Sequence, residues 1–330
     1  AFWGFTLAII LGGQLVDTIG MKKGMWLAFA FHAIGIGLTL TAYDFSTLFI
    51  ATIIMGLGNG MVEAVCNPLV ASMYPNDKTK MLNRFHLWWP AGIVIGSLIG
   101  LILMDVMGFS WQLMVSSLFI PLALYGYLLI GQSFPLTERV SLGINQIDAY
   151  KSLARPLFLF IAFCMLLSAT TELGTTQRIE SLLKETGVNA LLVLAFINGI
   201  MIIGRALAGP IAMKIKTTGM LFLSSLFAFI GLQLLANSSG SFVFIAAGVF
   251  AVGITFFWPT TLAFISENIP ESGAFGMSLI GGLGMLSVSL ILPLMGRFLD
   301  NSVGTEVIQK MSILPFILIF LYGGLYLKKR

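Results

Sequence analysis

The first residue in this chain whose type and setting could do chemistry is Glu63, a carboxylate inside the apolar run 46–73. Asn59, Glu63 and Asn67 follow one another at intervals of four, which puts them in one polar stripe on a helix. Pro68 comes next and can kink that helix or free a backbone carbonyl. A carboxylate in the middle of a bilayer-length helix is costly, so it faces a bundle interior or a water-filled cavity. There it can hold a solute hydroxyl or exchange a proton. The competing role is a structural hydrogen bond to a neighbouring helix, and the depth of Glu63 in its run favours function. After a short polar hinge, 74–80, a second apolar segment brings Asn83 and His86 onto one face. Histidine changes charge near neutral pH, so His86 is a candidate too, although it starts close to a membrane surface where it could simply be hydrated.

A second intramembrane acid, Glu172, lies in the run 156–179 with Ser168, Thr175 and Thr176 on nearly the same face. Acids in such positions are functional candidates by default. Gln177 and Arg178 lie nearer the end of that run and read as interfacial. Asn198 is open to either role, and His32 fits packing better. Trp88, Trp89, Phe256, Phe257 and Trp258 could stack on a sugar ring, but aromatics also fill helix bundles and interface belts. Trp89 and Trp258 remain candidates because Pro90 and Pro259 follow them directly, and such helices bend easily. Gly92, Gly96 and Gly100 recur every four residues and predict a small-residue packing seam.

Composition says what must position these groups. The chain has 330 residues, 58% hydrophobic and only 10% charged, against about 25% charged in soluble domains. The bilayer is therefore the expected solvent. The net charge of +4 is no sign of nucleic-acid binding, because the basic residues sit at the ends of apolar runs. Cys66 and Cys164 fall inside such runs and read as buried thiols.

A membrane-spanning helix needs about 20 mostly apolar residues. That ruler gives 1–16, 25–42, 46–73, 81–107 and 111–131. A polar stretch, 132–154, follows, and then 156–179, 188–213, 219–236, 242–265, 273–298 and 311–327. These are eleven expected spans. The expected organisation is an N-terminal bundle over 1–131, a cytoplasmic linker over 132–154 and a C-terminal bundle of six helices over 155–330. With the turn at Lys22, Lys23 and Gly24 in the cytoplasm, every basic residue also lies inside, Arg330 included, except Arg178, Lys184, Arg297 and Lys310. One helix before Ala1 would bring both termini inside and complete two sets of six.

Gly13, Asp17 four residues on, Gly20 three further, then Lys22 and Lys23 resemble the signature loop of the major facilitator superfamily. Glycine allows close helix approach, Asp17 can accept bonds at a helix end or pair with a basic residue across the halves, and the basic pair holds the turn in the cytoplasm. Gly204, Arg205 and Gly209, followed by Lys214 and Lys216, echo the pattern in the second half. The resemblance implies an all-α membrane protein of two pseudo-symmetric bundles working by alternating access. Eleven of twelve helices would be visible, the first being absent. Arg205 would join the loop residues in gating. A narrower likeness lies in Glu63, Asn67 and Pro68, then Pro75, then Leu82 and Asn83. These are similar to the fucose-permease-like branch of sugar–proton symporters, which implies that Glu63 lies in the sugar cavity. Trp89 stands where that branch has a further sugar-site asparagine. The branch's coupling aspartate sits on the first helix, so no residue here inherits that role.

The expected function is proton-coupled secondary transport of a small polar solute, a sugar by resemblance. The partners are that solute, protons and the lipid bilayer, with no cofactor, no metal and a monomeric state. The expected location is the plasma membrane, or the inner membrane of a bacterium. Few cationic groups lie in the spans, which argues against strongly anionic solutes. The alternatives are an exporter or carrier of a drug or non-sugar metabolite, a non-transporting sensor, and a polytopic membrane enzyme. Enzyme chemistry has little support, since there are two histidines, no His-Glu-x-x-His and no Gly-x-Ser-x-Gly. No Gly-Lys dipeptide exists, so no P-loop can form.

Overall fold

In lipid a backbone must satisfy its own polar groups, and a helix does so within one segment. The computed structural model describes residues 1–329, and among them there is no strand. Arg330, counted above with the cytoplasmic cations, lies outside the described residues. The apolar helices are α1 (Phe2–Ile19), α2 (Met21–Leu40), α3 (Phe45–Met73), α4 (Lys78–Val106), α5 (Trp111–Leu129), α6 (Pro156–Gln177), α7 (Ala190–Ala206), α8 (Ala208–Ala236), α9 (Phe242–Asn268), α10 (Pro270–Leu299) and α11 (Gly304–Lys329).

Ten of these are long and apolar enough to cross a membrane, which corrects the expected eleven. The exception is α7, only 17 residues long, because regular helix stops at Leu207 inside the expected span 188–213. The turn expected near Lys214 and Lys216 is present within 208–236, where Lys216 takes the non-helical values φ 56° and ψ 168° and parts two helical stretches. That left-handed φ is uncommon for a residue with a Cβ.

Local sequence sets the other boundaries. Gly20, with φ 86°, makes the break between α1 and α2. Asp44 caps α3 by accepting the Thr47 backbone N–H at 2.7 Å, and Thr47 Oγ1 accepts in return from the Asp44 backbone N–H at 3.3 Å. Two longer helices contain π-helical stretches: α4 ends in one, Leu101–Val106, and α6 contains another, Thr170–Gly174.

The chain packs as two compact units. The first comprises Ala1–Pro75, Ile95–Phe158 and Ile265–Met285. Here α1 lies along α3 with almost no side chain between them: a Cβ at Gly60 would strike the Phe5 carbonyl oxygen, and one at Gly4 the Ile53 carbonyl oxygen. Close approach of this kind is how helices gain dispersion energy in lipid. The same unit holds the expected linker, which folds into two short helices, Glu138–Ser141 and Gln146–Leu153. The second unit comprises Asn76–Val94, Leu159–Phe264 and the chain from Leu286 onward. In it α8 meets α9 through Gly231 against Phe250 and Gly253 against Ala228. Of the expected seam at Gly92, Gly96 and Gly100, the last lies against Met114, while a Cβ at either of the others would meet open space among the described residues.

Candidate functional site

In the second unit the π-helical turn Thr170–Gly174 carries Glu172. Such turns insert a residue into the helix and occur often at functional sites. Glu172 is 3% exposed. Its Oε1 accepts from Arg205 Nη2 at 3.0 Å, while its buried Oε2 has no hydrogen-bond partner among the described residues. The carboxylate borders a cavity of about 300 Å³. Trp89 and Ile93 of α4, Leu173, Thr176 and Gln177 of α6, and Leu194, Asn198 and Met201 of α7 share the lining. The Asn198 amide nitrogen donates to the Leu194 carbonyl at 2.8 Å, which leaves its side-chain oxygen as an acceptor. The cavity is thus bordered by an indole, two carboxyl side chains (Glu172 and Glu180), two amides and a hydroxyl on apolar walls, a set suited to a small solute rich in hydroxyls.

Arg205, expected to join the signature-loop residues in gating, is 1% exposed. Besides Glu172, it donates from Nε to the Thr255 carbonyl at 2.8 Å and from Nη1 to the His86 carbonyl at 2.9 Å. The physical reason is the buried carboxylate: an ion pair needs further hydrogen bonds to offset the desolvation of both groups.

The other residues expected in this unit are buried near these helix breaks. His86 contributes its backbone carbonyl to Arg205, and its ring meets Phe85 edge-on. Asn83 is fully buried and donates to the Thr79 carbonyl at 2.8 Å and to Thr260 Oγ1 at 3.2 Å, and its own side-chain oxygen has no partner among the described residues. Trp89 borders the cavity. Trp258 is buried outside its lining.

In the first unit the polar stripe on α3 divides in two. Asn67 Nδ2 donates to Glu63 Oε2 at 2.6 Å, and both residues are buried. Asn59 turns to His32 instead, with its Oδ1 3.0 Å from Nε2, while the other ring nitrogen lies 3.0 Å from the Tyr125 hydroxyl. His32 therefore joins α2, α3 and α5, in keeping with a packing role.

The signature loop finds its partner in the linker. Asp17 Oδ2 accepts from Arg139 Nε at 2.7 Å, and Oδ1 accepts from Thr137 Oγ1 at 2.6 Å. Arg139 also donates to the Ile144 carbonyl at 2.7 Å. Gly13 sits against Ser278 of α10, too close for any Cβ. Lys22 is half-buried and Lys23 exposed at the start of α2. Sequence reasoning counted Arg139 only as a cytoplasmic cation and overlooked Thr137. A threonine and an arginine two residues apart, in a polar stretch after an apolar run, were the available signal.

The sequence model described as Major Facilitator Superfamily matches residues 1–293. The chain belongs to this superfamily. It is thus a multi-pass membrane protein with the superfamily fold, and both family and fold are those of transporters. The solved structure of the Escherichia coli fucose:proton symporter FucP aligns with a TM-score of 0.78 at 18% identity, over 98% of this chain and 88% of that one. The MFS-type transporter YttB of Bacillus subtilis is 22% identical over 97% of this chain and 82% of its own length. The MFS-type transporter EfpA of Mycobacterium tuberculosis is 30% identical over 33% of this chain, a match that spans only 21% of EfpA.

Proposed function

We propose that this superfamily transporter moves a small, hydroxyl-rich solute, a sugar, with protons, by alternating access. The observation that carries the reading is the cavity beside Glu172, where the Trp89 indole is joined by the hydrogen-bonding side chains of Glu172, Glu180 and Asn198. Fold similarity to a fucose:proton symporter agrees with it. Glu63, Asn67, Asn83, His86 and Trp258 are proposed as further solute-site residues, and Gly13, Asp17, Gly20, Lys22 and Lys23 as the gating loop. Asn59, bonded to His32, is the least favoured member of the set. Two bundles over 1–131 and 155–330 joined by the linker, a monomeric state and a plasma-membrane location complete the proposal.

The test is uptake into proteoliposomes under an inward proton gradient, with a panel of labelled hexoses, deoxyhexoses and pentoses. The expected result is accumulation of at least one sugar above equilibrium, abolished by a protonophore. Failure with every sugar would reject the solute class. A second reading is favoured by the apolar share of the lining, Ile93, Leu173, Leu191, Leu194 and Met201. It is transport of an amphiphilic non-sugar compound, and efflux of a lipophilic dye from the same vesicles would support it.

A further inference from the structure

Proline has no N–H, so a proline within a helix leaves the carbonyl four residues earlier without its usual donor. Pro90 does this to His86, and Pro259 does it to Thr255. The structure supplies both carbonyls from one side chain: Arg205 Nη1 donates to the His86 oxygen at 2.9 Å, and Nε donates to the Thr255 oxygen at 2.8 Å. A third donor, Nη2, reaches Glu172 Oε1 at 3.0 Å in the π-helical turn of α6. All three acceptors sit at departures from regular helix, in α4, α9 and α6. Each also adjoins a candidate solute residue: Trp89 precedes Pro90, Trp258 precedes Pro259, and Glu172 is one itself.

A guanidinium presents its donors in a rigid planar fork, so the acceptors it binds are fixed relative to one another. A lysine ammonium, a compact charge on a flexible stem, could pair with Glu172 but would not hold all three. We infer that Arg205 is a positioning residue of transport, the shared donor that keeps the proline breaks of α4 and α9 in register with the Glu172 turn. A solute drawing on the Glu172 carboxylate then shifts the guanidinium, and both bends respond together. The link to solute rests on reading the cavity as the solute site. The link between the bends does not.

Alanine at the two proline positions restores backbone N–H donors to the His86 and Thr255 carbonyls. Arg205→Gln should lower the apparent melting temperature of the purified protein by about 5 °C or more. In a Pro90→Ala/Pro259→Ala background the same substitution should cost less than about half of that shift. In a Glu172→Gln background most of it should persist. If Arg205→Gln alone does not fold, the same comparison is read as recovery of monodisperse protein. Rescue by the alanines supports the shared-donor role. Rescue by Glu172→Gln with none by the alanines would overturn it, leaving Arg205 as a counter-charge. In proteoliposomes, Arg205→Lys should slow uptake of the accumulated sugar by about tenfold with the half-saturating concentration changed less than about threefold. A rise in that concentration matching the loss of rate would remove the positioning role in transport. Should the wild type accumulate no sugar in the panel, the solute reading fails, while the melting comparison still decides what Arg205 holds.

Discussion

Glu172 and Glu63 are both buried acids, yet the structure gives them different company. Glu172 faces a full positive charge, and Glu63 accepts from a neutral amide. Removing one member of a buried ion pair strands the other, at a cost of about 3–5 kcal/mol. Glu172→Ala is therefore expected to lower stability by about 3 kcal/mol, visible in thermal unfolding. Glu63→Gln keeps shape and hydrogen bonding but cannot titrate. If Glu63 holds solute, the glutamine variant binds more weakly and still couples to protons; if it carries the proton, the variant exchanges solute but does not concentrate it. Glu63→Ala should lose solute binding in either case, and wild-type affinity and accumulation in that variant would dismiss the residue from the site. Both acids were legible in the sequence, because a carboxylate in an apolar run has few explanations. The role of Arg205 was not, since two of its partners are backbone carbonyls and no side-chain pattern announces a carbonyl.

Elements were legible where hydropathy alone decides them and less so where backbone geometry does. The runs 46–73 and 111–131 became α3 and α5 with ends shifted by a residue or two. The break at Leu207 and the π-helical turns of α4 and α6 left no mark on hydropathy, because they change hydrogen-bond pairing and not polarity. Regular spacing of glycine misled at Gly92 and Gly96, for spacing says that a helix could be approached closely and not that anything approaches. One element end carries its own pH dependence. The backbone and side-chain hydrogen bonds from Thr47 hold the exposed Asp44 carboxyl below the usual aspartate range. Its folded-state affinity for protons is thus reduced, so its contribution is present above about pH 4 and is lost as pH falls through the folded value. Amide protection over the first turn of α3, taken relative to the intrinsic exchange rate at each pH, should fall on acidification through that window. Asp44→Asn should keep the cap but flatten the response, and an unchanged acid response in that variant would assign it to another group.

At the scale of the whole molecule, composition and cation placement point to a polytopic membrane protein, and the signature loop carries the likeness to the family. What the sequence left hidden was the way chain segments group, since Asn76–Val94 packs with Leu159–Phe264 despite lying far away in the chain. Topology remains a direct prediction of the charge bias. Single cysteines at Lys151 and Lys184, in a variant lacking Cys66 and Cys164, should react with an impermeant thiol reagent from opposite sides of the membrane. Reaction of both from one side would require a different number of crossings between them.

The linker is bonded to the end of α1, through Arg139 and Thr137 to Asp17, and the residue just after it, Arg155, pairs with Glu271. Covalent continuity just ahead of it is then not what keeps it in place. A protein expressed as two polypeptides, divided at the exposed loop between Gly131 and Gln132, should reassemble, with the free end of the second piece held by the first. An affinity tag on the first piece should recover the second from detergent extracts, and Asp17→Ala should weaken that recovery. In this sense the segment between the apolar runs behaves as a bound ligand of its own protein that happens to be tethered at both ends.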